Sequence, residues 1–217
     1  MAFLAGLNDY LLKNYRHSTF EEAAASGAPF CLHLHGHAIV QGSIAANDTY
    51  DITVTAHDGA RHEVPKTRIK LLYPAEFADR VQAQIKIDAD VQARQLEPII
   101  TVKQRYFVKN KTIYTLMRTQ EVLLVSLLEG EVLKGVIHSF SRYEIKLALK
   151  DGTPAVILRH AILDIRNKQG RCYLKSSQQT LRDWTKSELY IDPRPRSELR
   201  PGLKKVKIKR RKKVIIR

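Results

Sequence analysis

Cysteine is nearly missing from this chain. Cys31 and Cys172 stand alone, with no ligand-like spacing, so a disulfide framework is not expected and a reducing cytoplasm is the default compartment. No apolar run approaches the roughly 18 residues needed to cross a bilayer. The first residues, where Asn8, Asp9 and Tyr10 interrupt the apolar ones, lack the basic start and continuous apolar core of a signal peptide. Missing too are a Gly-rich phosphate loop, a metalloprotease helix motif and a nucleophile elbow in a fitting context, and the acids are scattered, so no enzyme and no cofactor are expected. Negative charge is also in short supply: 22 Asp and Glu face 37 Lys and Arg, a formal net charge of +15. The surplus is uneven, because residues 191 to 217 hold twelve basic side chains against Asp192 and Glu198. A surplus of this sign favours polyanions, nucleic acid before a membrane surface, since neutralised phosphates release condensed counterions.

What the chain does contain is a copy of itself. A shift of 93 residues lays Gly42 on Gly135, Ile44 on Ile137, Tyr50 on Tyr143, Ile52 on Ile145, Asp58-Gly59 on Asp151-Gly152, Lys66 on Arg159 and Ile69 on Ile162, without a gap. Short β-like runs with turn signals between them fill both copies: 30 to 35, 38 to 46, 51 to 56, 61 to 66 and 68 to 72, then 122 to 128, 131 to 140, 143 to 149, 154 to 159 and 161 to 165. Asp58-Gly59 and Asp151-Gly152 are the clearest hairpin turns. Five short strands in about 45 residues cannot make a sandwich and suit a single bent sheet or small open barrel.

The remaining segments differ in kind. Phe3, Leu4, Leu7, Leu11, Leu12 and Tyr15 fall at helical spacing, which predicts an amphipathic helix over 3 to 16 packed on the sheet. Residues 17 to 29 read as a loop. Residues 75 to 96 are helix formers that stop before Pro98. The stretch from Ile99 to Val108 fits a strand as well as a loop, and Thr112 to Arg118 fits a helix ahead of the second sheet. Beyond 176 the chain turns polar and proline-bearing, and no compact core is expected there.

From Leu127 to Ile165 the residues have a familiar order. Leu127-Leu128-x-Gly130, Gly135, Ile137-x-Ser139-Phe140, Tyr143-x-Ile145-x-Leu147 and Arg159-His160-Ala161-Ile162 resemble the bacterial Hfq branch of the Sm and Lsm proteins. The first copy is a weaker relative, with His37, Asn47 and Thr67 at positions where the second has Gly130, Phe140 and His160. The resemblance implies a mainly β chain of two tandem Sm-like modules, each a bent five-stranded antiparallel sheet behind a short helix, joined to neighbours edge to edge in a ring. The domains expected are 1–74 for the first module with its helix, 75–112 for a helical connector, 113–175 for the second module and 176–217 for a basic extension. Two modules per chain imply a homo-oligomer, with a trimer forming a six-module pseudo-ring favoured over a monomer or a double layer. Edge pairing would also remove the liability of unpaired strands.

The same resemblance marks Tyr143, Arg159 and His160 as one nucleotide pocket, with Arg142 beside it where the family has Gln. Tyr50, Lys66, Thr67 and Thr49 are the equivalents in the first copy, and Arg118 falls at the family's basic rim. An aromatic face stacks on any base, a fixed Arg reaches phosphate or a base edge, and imidazole hydrogen-bonds ribose or stacks. Ser126 and Val132 occupy the positions of the family's opposite, adenine-reading face and can neither stack nor pair with phosphate, so that site is expected to be lost. His33, His35 and His37 alternate along one strand, but no Cys or carboxylate near them in sequence completes a metal site, and none is expected.

The tail contributes Lys204, Lys205, Lys207, Lys209, Arg210, Arg211, Lys212 and Lys213 with no acid among them, suited to wrap a polyanion or anneal strands. Together these features predict a cytoplasmic RNA-binding protein, a chaperone or post-transcriptional regulator holding single-stranded RNA on one ring face, with no membrane partner. The alternative is a structural or protein-interaction module whose tail binds nucleic acid without selectivity.

Overall fold

The computed structural model describes residues 4–179 and 186–191. The chain is mainly β, built on one open, eleven-stranded antiparallel sheet with few helices. Its first five strands are β1 (Pro29–Leu34), β2 (Ile39–Asn47), β3 (Asp51–Ala56), β4 (Arg61–Pro65) and β5 (Ile69–Pro74). A two-residue strand, β6 (Lys86–Ile87), follows. The last five are β7 (Leu123–Leu127), β8 (Glu131–Phe140), β9 (Glu144–Ala148), β10 (Pro154–Leu158) and β11 (Ile162–Asn167). The strand order is β11-β7-β8-β9-β10-β5-β1-β2-β3-β4, with β6 laid on β8.

The order within each half is therefore the same, and so is the detail. Phe30 opposes Gly42 as Leu123 opposes Gly135, and β2 and β8 are irregular at the same point, between Ile44 and Ala46 and between Ile137 and Ser139. The shared glycines have a shared cause: a Cβ at Gly42 would collide with the Thr55 carbonyl, and one at Gly135 with the Ala148 carbonyl. The two Asp-Gly turns close alike, Gly59 N–H on Ala56 and Gly152 N–H on Leu149, each at 3.0 Å.

The halves meet where β10 pairs with β5, Val156 opposite Leu72 and Ile157 opposite Leu71. Because side chains alternate across a sheet, Leu72, Val156 and Leu158 join the core of the first half, while Leu71, Ala155 and Ile157 join that of the second. Both faces of the seam are buried. Each aliphatic side chain removed from water there contributes about 1.5–3 kcal/mol.

The helices are distributed differently from the sequence pattern. Helix α1 (Leu7–Asn14) is shorter than 3 to 16 and packs Leu7, Tyr10 and Leu11 on the core of the second half. Tyr10 stacks on Phe140 at 4.8 Å, accepts a 2.7 Å bond from the Phe140 N–H and donates one to its carbonyl. The first half is covered by α2 (Thr19–Ser26), through Phe20 and Ala23, in a segment read as loop. Ser18 ahead of it and left-handed Gly27 behind it, whose N–H caps the Ala23 carbonyl, are ordinary helix boundaries. The connector holds only short helices, α3 (Ala78–Gln82) and α4 (Ala89–Gln92). Ile99 to Val108 is loop with a single 3-10 turn, and α5 (Asn110–Thr119) precedes the second sheet. Beyond 176, Leu189 and Tyr190 return to cover Leu124 and Val132, so apolar packing continues past the point where none was expected. Among the described residues no helix is long and apolar enough to cross a membrane.

One edge of the sheet is occupied by the chain itself. The Tyr173 N–H donates to the Ile165 carbonyl at 3.0 Å, Asn167 N–H donates to the Arg171 carbonyl, and Arg166 bridges Cys172. Ile165 is the counterpart of Leu72, through which β5 receives β10. The position on β11 where a neighbouring strand would add is thus filled by residues 171–173.

Candidate nucleic-acid interface

The loop between β8 and β9 and the turn between β10 and β11 form one unit. The Arg159 N–H donates to the Tyr143 carbonyl at 2.8 Å, and in the first half the Lys66 N–H does the same to Tyr50, also at 2.8 Å. Each bond holds a 3-10 turn against the loop that carries the tyrosine. Tyr143 is 59% exposed and Tyr50 79%, far more than a half-buried strand residue. The Arg142 guanidinium lies 5.2 Å from the centre of the Tyr143 ring, so cation and aromatic face are presented together.

Arg159 is committed elsewhere. Its guanidinium donates to Asn110 Oδ1 at 3.0 Å and to the carbonyls of Ser141 and Val108 at 3.1 and 2.9 Å. It braces the tyrosine loop against the connector rather than reaching outward. His160 is 8% exposed, and its Nε2 has no hydrogen-bond partner. Burial, with the Arg105 charge adding to it, pushes the imidazole down to about 4, the backbone of Ile69 and Thr67 pulling weakly the other way. At neutral pH it is uncharged and packed at the seam, where half-buried Thr67 also lies.

The first-half site is poorer. Lys66 Nζ donates to the carbonyls of Asp48 and Thr49, and sits 5.7 Å from the Phe20 ring centre. Burial lowers its affinity for a proton, and Asp48, Asp51, Glu21 and Glu144 oppose that. The same four carboxylates repel phosphate. Thr49 and Arg118 are exposed, Arg118 in the last turn of α5. Ser126 and Val132 are both buried, Val132 beneath Leu189 and Tyr190.

The connector supplies what the sequence reading did not assign. Phe107, with part of its ring exposed, has the Arg159 guanidinium 5.7 Å and the Lys175 ammonium 5.2 Å from its centre. Arg105 is close enough to interact with both Tyr143 and His160 and is anchored by bonds to the carbonyls of Ile99 and Ile100. Arg142, Tyr143, Arg105, Phe107 and Lys175 make a patch of alternating aromatic and basic groups. The mixed basic and aromatic composition of 103 to 107 was the available signal. The tail from Lys204 to Lys213 lies outside the described residues.

A scan of protein-family models and a search of curated proteins match nothing to this chain.

Proposed function

We propose that this chain is a single-stranded RNA-binding protein with two tandem Sm-like modules, the second Hfq-like, serving as an RNA chaperone or post-transcriptional regulator. The observation that carries the reading is the repeated five-strand order, joined edge to edge at β10 and β5, with an exposed tyrosine at the equivalent loop of each half. Five antiparallel strands in the same order in each half, with helices packed on them, support the resemblance.

Binding is assigned to the second half. Tyr143 and Phe107 offer faces for two bases, while Arg142, Arg105 and Lys175 offer charge for the connecting phosphates. Arg159 acts as a brace and His160 as an uncharged seam residue. Tyr50 adds a weak second platform because carboxylates surround Lys66. The basic tail adds affinity and annealing through counterion release. Two free thiols fit a cytoplasmic setting.

The ring of three chains carries a condition. Head-to-tail joining would bring β4 of one chain to β11 of the next, and residues 171–173 would have to leave β11 first. The intrachain seam already supplies one junction between modules, so a single chain is the minimal binding unit.

Fluorescence anisotropy with a labelled uridine-rich oligonucleotide tests the reading across a salt series. Stacking is worth about 1–3 kcal/mol per base and persists as counterion release fades. Tyr143→Ala is expected to weaken binding at high salt by about five-fold or more. Unchanged binding in the variant, abolished by salt in both proteins, would favour a scaffold with a non-selective tail.

A further inference from the structure

At the seam the two halves also share a polar cluster that base stacking does not use. The turn after β1 carries His35, Gly36 and His37, the turn between β7 and β8 carries Glu129 and Gly130, and Glu131 opens β8. The Gly36 N–H donates to Glu129 Oε1 at 2.7 Å. His35 Nδ1 lies 3.8 Å from Glu129 Oε1, and His37 Nδ1 lies 3.8 Å from Glu131 Oε1. The donor atoms of His37, Glu129 and Glu131 all fall within 4.8 Å of one another.

Ion pairing alone leaves this cluster incomplete. Lys70, 1% exposed, gives its ammonium to both carboxylates, setting one positive charge against two negative. His35 is 3% exposed, yet neither of its ring nitrogens has a hydrogen-bond partner, and Glu131 Oε2 has none either. Buried polar atoms are ordinarily satisfied, and orphans on two residues of one ion-pair cluster call for a missing partner. His33, which sequence alternation places in the same row, is not part of the group: its Nε2 is bonded to Tyr73 Oη at 2.7 Å.

We propose that His37, Glu129 and Glu131, backed by His35, bind a divalent transition-metal ion, zinc above all, that clamps the first half to the second. Imidazole and carboxylate together suit zinc and its neighbours, whereas calcium and magnesium want oxygen alone. Zinc bonds of about 2.0–2.2 Å place tetrahedral donors roughly 3.3 Å apart, so donors that now lie within 4.8 Å of one another must draw together by up to roughly 1.5 Å, within reach of side-chain rotation. His37, half exposed, gives the ion a route in and can turn toward it. The ion also supplies the positive charge that Lys70 leaves short, and each carboxylate can hold Lys70 with one oxygen and metal with the other. His35 stands outside that three-donor group but 3.8 Å from Glu129 Oε1, where an unpaired ring nitrogen can accept a bond from metal-bound water.

Isothermal titration of the full chain, stripped with chelator and titrated with zinc chloride, tests this directly. One ion per chain is expected, with a rise in thermal midpoint and no comparable response to magnesium. His37→Ala, at an exposed position, and Glu129→Gln should each weaken zinc at least ten-fold while circular dichroism stays native. His17→Ala, remote from the cluster, should change nothing. In the cobalt-loaded protein a visible absorption band should disappear with His37→Ala. Absence of stoichiometric zinc binding, or binding that His37→Ala and Glu129→Gln leave intact, would overturn the proposal and leave the cluster an ion-pair network.

Discussion

Leu72 stands directly opposite Val156, and this pair is the point at which one repeat becomes continuous with the other. Leu72 and its neighbour Leu71 point into different cores, so the seam divides the chain in sequence but not in packing. Unfolding should therefore be one event. Urea melts followed by fluorescence and by circular dichroism are expected to coincide, and Leu71→Ala should lower stability by about 2–5 kcal/mol in a single transition. Two resolved transitions would mean that the halves fold independently.

Glu144 ties the second half to the helix that covers the first. Its carboxylate accepts bonds from the Thr19 N–H at 3.0 and 3.1 Å and from the Thr19 hydroxyl at 2.7 Å. Removing the acceptor leaves buried donors unpaired, so Glu144→Ala should cost about 1–3 kcal/mol, and Thr19→Val less. Equal stability of Glu144→Ala and the parent by denaturant titration would refute this.

His160 makes stability depend on pH. Its folded value of about 4 lies below the ordinary 6.5, so the unfolded chain binds the proton more readily. The stabilisation is whole above about 6.5 and drains away as pH falls toward 4, by up to about 3 kcal/mol. Arg105 and His35 are the charged and titratable groups facing the imidazole, and both disfavour its protonation. His33, which burial also pushes down to about 4, and His35, lowered by burial, act in the same window, so His160→Gln, measured with chelator present, should make the pH profile between 4 and 6.5 shallower without abolishing its slope. An unchanged slope would remove His160 as its source.

Tyr173 and its neighbours should keep the chain from growing through β11. Native mass spectrometry at micromolar concentration is expected to give the mass of one chain. A three-chain species in the parent protein would mean that residues 171–173 yield to a neighbouring β4.

The strands were legible because two local signals agree: Asp-Gly turns fix each hairpin, and alternation fixes which face is buried. Val132 and Leu133 show where alternation fails. Both are buried, Leu133 in the main core and Val132 under Leu189 and Tyr190, a cover contributed from almost sixty positions away. The role of α2 was hidden for a related reason, since its first turn is held by Glu144, 125 residues distant. Resemblance marked Tyr143, which the fold leaves outward, but it could not foresee that Arg159 would be spent on carbonyls. Phe107 and Arg105 left only the basic and aromatic composition of 103 to 107 as a trace, and the Lys70 carboxylate pair left no sequence pattern at all. They become a site only when the connector and the seam bring distant turns together.

Ultraviolet cross-linking of the full chain to uridine-rich RNA, followed by mass spectrometry of the adducts, tests the assigned surface most directly. Adducts on Tyr143 and Phe107, with Tyr50 modified less, are the predicted result. Adducts confined to residues 200 to 217 would contradict it and reduce the folded sheet to a scaffold for the tail.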